Sequence, residues 1–169
     1  MLVDACALLR GRGVPFECRI AGAGPLLRAL DRRIDRAGLR GQVRLLGWQG
    51  APDMARLYRA ACGFVLPCRV ARGGDRDGLP NVLVEALSLG LAVVSTRVSA
   101  IPELVQDGVT GLLVGPDDAA ALAAALETLL SDADLRERLG AAGRSVVAEQ
   151  FDLDANARRL ESLFRPLLG

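Results

Sequence analysis

The 169-residue chain contains no histidine and no lysine: all 21 of its basic side chains are arginine. Without histidine there is no Ser-His-Asp or Cys-His relay and no imidazole metal site. Without lysine there is no Walker-type phosphate lysine and no Schiff-base chemistry. An enzyme built from this chain must work with carboxylates, backbone amides and the fixed forks of arginine. Charge of one sign is lacking too, since the formal net charge is +1. That balance gives no electrostatic reason to expect nucleic acid or an anionic membrane surface as partner. No apolar run approaches the ~20 residues that cross a bilayer. The first residues carry Asp4, Arg10 and Arg12, unlike the basic start and long apolar core of a secretory signal. The four cysteines, Cys6, Cys18, Cys62 and Cys68, show no CxxC spacing. They read as packed thiols of a reducing compartment, which points to a cytoplasmic protein.

What is present is an alternation of helix-like and strand-like segments. Leu2 to Arg12 reads as a helix with Leu2, Cys6 and Leu9 on one face. Strands are expected at 16–21, 43–46, 63–67, 92–95 and 111–114. Of these, 63–67 is continuously apolar, the pattern of a strand buried on both faces, and 92–95 reads as another buried strand. Helices are expected at 26–37, with Leu26, Leu27, Leu30 and Ile34 as its stripe, and at 52–61, with Met54, Leu57 and Tyr58 inward. Further helices fall at about 80–89, 101–105, 117–130, 133–149 and 153–167. Strands alternating with helices predict an α/β fold with a parallel sheet and crossover helices. No linker or repeat divides the chain, so residues 1–169 read as a single domain whose C-terminal third is helical and packs over the sheet or against a partner domain.

In open parallel sheets, ligands bind at the carboxyl ends of strands. The longest polar loop in such a place runs from Cys68 to Gly78 and leads to Pro80 at a helix start. Proline costs nothing at that position because its missing N–H has no helical partner to lose. The amides of Asn81, Val82 and Leu83 then open toward solvent and, with the helix dipole, suit a phosphate. Glu85 lies one turn deeper on the face of Asn81. It would repel phosphate yet accept bonds from a hydroxyl-rich group beside it. Asp77 stands on the other side of the helix start. Ribose, diphosphate and sugar, the parts of a nucleotide-sugar, fit that order. Each residue also has a plainer reading: Asp77 before Gly78 as a turn residue, Glu85 as an exposed helix residue, Trp48 as packing. The arginines of the loop read as solvated or acceptor-facing, or as diphosphate clamps. Gly22-x-Gly24 lacks the third glycine of a dinucleotide fingerprint.

The run Asp77-Gly-Leu-Pro-Asn-Val-Leu-Val-Glu85 resembles the acid-x7-acid signature of family 4 (group 1) retaining glycosyltransferases of the GT-B fold. Three more blocks agree in order and spacing: Arg19-Ile-Ala-Gly22-Ala-Gly24-Pro25, Val43-Arg-Leu-Leu-Gly47-Trp48, and Ile101-Pro-Glu-Leu-Val-Gln-Asp-Gly108-Val-Thr-Gly111. The resemblance implies the Rossmann-like three-layer α/β/α donor-binding domain of that fold. It implies that Asp77, where the family usually has Glu, holds the donor sugar. Gly78, Leu79 and Pro80 line that sugar, and the Asn81, Val82 and Leu83 amides bind the diphosphate. Glu85 takes the ribose hydroxyls, Gly47 and Trp48 flank the base, and Gly22 and Gly24 let the backbone approach the nucleotide. By the same resemblance the donor is a UDP- or GDP-sugar, no metal or other cofactor is needed, and the acceptor belongs to polysaccharide or glycolipid synthesis.

The family's nucleotide-binding domain begins with a strand, a Gly-Arg turn and a lysine, whereas here Met1 already falls inside the first helix. The acceptor-binding domain is likewise absent from the 169 residues. The expectation is therefore an incomplete fragment, inactive alone, in which the strands at 16–21 and 63–67 either await a strand between them or close up and pair directly. Any contact with a membrane would come through the missing domain. Two other readings stay open: a free-standing nucleotide or nucleotide-sugar module that works with a partner chain, and an NAD-type dinucleotide domain.

Overall fold

The computed structural model describes residues 1–70, 73–74 and 78–165. The elements run α1 (Leu2–Gly11), β1 (Cys18–Ala21), α2 (Leu27–Arg36), β2 (Val43–Gly47), α3 (Ala51–Ala60), β3 (Phe64–Leu66) and α4 (Asn81–Ser88). They continue β4 (Val93–Thr96), α5 (Ile101–Leu104), β5 (Leu112–Val114), α6 (Ala119–Ser131), α7 (Ala133–Gln150) and α8 (Leu153–Phe164). The expected alternation is borne out, and every strand pair is parallel. Among the described residues no helix is long and apolar enough to cross a membrane.

The strands form two sheets. β1 pairs with β2, and β4 sits between β3 and β5. The alternative in which β1 and β3 close up and pair is thereby corrected. α1 and the residues after it carry apolar side chains toward both sheets. Val3 and Cys6 pack with Ile34, Leu39 and Val43 beside the first sheet. Ala5 and Leu9 pack with Val94, Val114, Leu122 and Leu129 beside the second. Phe16 touches both clusters.

β4 is buried at every position, as expected, whereas β3 is only half-buried. Its side chains do alternate between two cores, with Phe64 and Leu66 on one face and Val65 on the other. The exposure follows from its position at a sheet edge, hydrogen-bonded along one side only. The buried hydroxyls of Ser95 and Thr96 donate to the carbonyls of Leu66 and Cys68, each at 2.7 Å. These bonds tie the exit of β3 to its neighbour and fix where the following loop begins.

Helix ends depart slightly from the pattern. Leu26 is 68% exposed because it is the residue before α2, not part of its stripe; Leu27 and Leu30 are half-buried and Ile34 fully so. α6 starts at Ala119, with the Asp118 carboxylate accepting from the Ala121 amide at 2.8 Å. Asp132 and Asp152 cap α7 and α8 in the same way. In the helical C-terminal third, α6 packs on α1 and α7 on α4. α8 buries nothing among the described residues, and Leu153, Leu160, Leu163 and Phe164 are all exposed.

Candidate functional site

The predicted loop leaves β3 at Cys68. Ala71, Arg72, Asp75, Arg76 and Asp77 lie outside the described residues, so the sugar-holding role expected of Asp77 falls there. Arg69, at the loop's start, stays exposed and lies 3.9 Å from Asp117. At such exposure the pair contributes ~0–1 kcal/mol. The chain returns with Gly78 exposed, Leu79 packed on the core beneath α4, and Pro80 in an extended conformation at φ −67° and ψ 124°.

Pro80 ends the extended segment and begins α4 without a side-chain cap. Its carbonyl accepts from the Leu83 amide at 3.0 Å. Leu83 was expected among the open donors, but this three-residue turn takes its amide, and its side chain is fully buried. No acceptor among the described residues takes the amides of Asn81 or Val82. Two neighbouring donors therefore stand at the positive end of the helix, the arrangement that receives an anion.

Glu85 is exposed, although its helix is strongly apolar. It reaches solvent while Leu83, Ala86 and Leu87 on the opposite face fill the core. Its Oε2 accepts from the Tyr58 hydroxyl at 3.1 Å. Burial, and next the Glu85 charge, push the Tyr58 hydroxyl up to about 12. Sequence reasoning placed Tyr58 in the core and missed its polar end. The available signal was elementary: Tyr58 is the chain's one tyrosine, and a buried tyrosine hydroxyl must find a partner.

The other predicted residues gather at the carboxyl ends of β1 and β2. The Gly22 amide donates to the Gly47 carbonyl at 2.7 Å, so the two glycine turns are joined. Gly22, Gly24 and Gly47 have φ of 136°, 155° and 68°, conformations that side chains rarely adopt. Trp48 is 77% exposed, so most of its side chain reaches solvent. Beside Gly47 lies a shallow depression of about 410 Å³ lined by Leu27, Arg28, Asp31, Arg32 and Leu45. The sequence did not single out Arg28 and Arg32 for this place. Two groups of predicted residues thus form, one at the tips of β1 and β2 and one at the start of α4. No hydrogen bond joins them among the described residues.

Known proteins share this architecture. The chain is 37% identical over 166 residues to a putative colanic acid biosynthesis glycosyltransferase, WcaL, of Salmonella typhimurium, covering 98% of this chain and 41% of that protein. It is 32% identical to a GDP-mannose-dependent α-(1-6)-phosphatidylinositol monomannoside mannosyltransferase of Mycobacterium tuberculosis, covering 97% of this chain and 43% of that one. The chain therefore spans about two fifths of the length of these relatives. Among solved structures, Anabaena HepE in complex with UDP-glucose superposes with a TM-score of 0.80 at 25% identity, over 96% of this chain and 43% of that one. The C-terminal domain of a group 1 glycosyl transferase from Francisella tularensis superposes with a TM-score of 0.73 at 25% identity, over 89% of this chain and 77% of that one. Residues 1–132 match the family model described as glycosyl transferases group 1, so the chain belongs to that family and has the Rossmann-like fold of its C-terminal, GT-B domain.

Proposed function

We propose that this chain is the donor-holding part of a retaining glycosyltransferase that takes a sugar from a UDP- or GDP-sugar. The observation that carries the reading is the start of α4. The amides of Asn81 and Val82 have no acceptor among the described residues, and the carboxylate of Glu85 stands exposed one turn beyond them. Diphosphate lies over the amides and the ribose diol reaches Glu85. The sugar extends toward Gly78, Leu79 and the segment that carries Asp77. The joined turns at Gly22 and Gly47, the exposed side chain of Trp48 and the depression beside them receive the base. The departing diphosphate itself assists deprotonation of the acceptor hydroxyl. The reaction needs no metal.

The acceptor is held by a facing domain or chain, so the 169 residues alone do not catalyse transfer. Relatives named for colanic acid, amylovoran and lipopolysaccharide core synthesis support a role in making polysaccharide or glycolipid. Relatives and neighbours named with GDP-mannose and with UDP-glucose support either base.

Calorimetric titration with UDP, GDP and NAD tests the reading. The expected result is binding of UDP or GDP, unchanged by a chelator, and none of NAD. Binding of NAD with neither UDP nor GDP would remove it. Sugar transfer by the isolated chain would refute its incompleteness.

A further inference from the structure

Tyr58 and Glu85 lie 27 residues apart in sequence and meet through one hydrogen bond. The tyrosine ring has little freedom. It is 5% exposed, packs among Leu83, Ala86 and Leu87, and meets Phe64 edge-on at 61° with ring centroids 5.7 Å apart. Packing therefore fixes where its hydroxyl emerges between α3 and α4. Glu85 is the opposite case, an exposed side chain with three rotatable bonds. Left alone it would spread over several rotamers, and a ligand would have to order it on binding.

The chemistry of the partner matters as much as its position. A carboxylate has about four acceptor sites on two oxygens. Tyr58 donates one proton to Oε2, and among the described residues no arginine forms an ion pair with Glu85. An arginine fork would occupy both oxygens and cancel their charge. A phenol orients the group and leaves the second oxygen and the negative charge for something else. We propose that Tyr58 is a positioning residue: it holds Glu85 in one rotamer so that the remaining carboxylate oxygen accepts from the vicinal diol of a nucleotide ribose. This rests on the reading of Glu85 as the ribose acceptor. The competing account is that the bond only clamps α3 to α4.

The two accounts differ in what Tyr58→Phe does to ligands with and without the diol. That variant keeps the ring and its packing and removes one hydroxyl, and its thermal midpoint serves as the folding control. The full chain is titrated with UDP and GDP and with their 2′,3′-dideoxy analogues. Tyr58→Phe is expected to weaken binding of the preferred ribonucleotide by roughly 3–10-fold and to leave the dideoxy analogue unchanged. In a Glu85→Gln background the tyrosine change should have no further effect on the ratio of the two affinities. An equal loss for both ligands, or no loss for either, would overturn the positioning role. If Glu85→Gln itself leaves the preference for the diol intact, the ribose reading of Glu85 fails and the role of Tyr58 falls with it. If Glu85→Gln abolishes the preference while Tyr58→Phe does not alter it, only the positioning role fails.

Discussion

A Cβ placed on Gly140 of α7 would run into the carbonyl oxygen of Gly90, in the turn that follows α4. Helix α7 therefore lies against backbone at this point, with no side chain between. Gly143, one turn on, meets first the end of the Leu87 side chain, with the Thr110 carbonyl oxygen farther off at 3.3 Å. Gly140→Ala should cost ~1–3 kcal/mol or more, the range for overpacking against a part that cannot yield. Gly143→Ala should cost less. Urea unfolding of both variants measures the difference, and equal midpoints would contradict the contrast.

Helix α4, which α7 packs against, carries Asn81, Val82 and Glu85 of the candidate site, and removing its acid should show in binding. Glu85→Ala deletes a charged acceptor of the proposed ribose contact. The expected loss is ~1.5–3 kcal/mol, roughly 10–150-fold in affinity for UDP or GDP. Glu85 itself is exposed, but its loss takes the acceptor from the Tyr58 hydroxyl, so the thermal midpoint should fall by the few degrees that ~1 kcal/mol brings. Unchanged affinity would assign the residue to structure alone.

Much of the fold was legible because it is written locally. The stripe of α1 and the apolar run of 63–67 each depend on neighbours a few residues apart. The pairing of strands is different, since α1 and Phe16 pack toward both sheets, which no local pattern states. The site divides in the same way. Asn81 and Glu85 share a helix face by simple spacing. The Tyr58 bond and the depression edged by Arg28 and Arg32 arise from elements distant in the chain. The exposed flank of α8 was missed because its apolar residues look like those of any helix with a core to fill.

Alkaline pH should expose the Tyr58 environment directly. The hydroxyl titrates at about 12 in the folded chain, raised first by burial and then by the Glu85 charge, against ~10 when unfolded. Between those values the unfolded state sheds a proton that the native state keeps. The contribution is therefore intact below about pH 10 and lost as pH rises toward 12. The Cys6 thiol acts in the same direction from its own lower starting value, raised by its bond with Cys18 and by burial. Tyrosinate absorbance isolates Tyr58, since the chain has one tyrosine. A single transition at about 12 is expected. Glu85→Gln should lower it only part of the way to the unfolded value, because burial is the larger cause. A transition near 10 in the folded protein would contradict the buried hydrogen bond.

The thiols should separate by reactivity. Cys62 is exposed, Cys18 is half-buried and Cys6 is buried. The Cys6–Cys18 contact holds the Cys18 thiol below the usual range and Cys6 above it. Thiolate, not thiol, attacks an alkylating agent. Of these three, iodoacetamide should therefore label Cys62 first and Cys18 next, with Cys6 labelled only as fast as the chain opens. Cys6→Ala removes the donor that favours the Cys18 thiolate, so Cys18 should react more slowly at fixed pH even though a neighbour has become smaller. Peptide mass spectrometry over time reads each site. Faster labelling of Cys18 in that variant would mean that access, not the thiol pair, controls it.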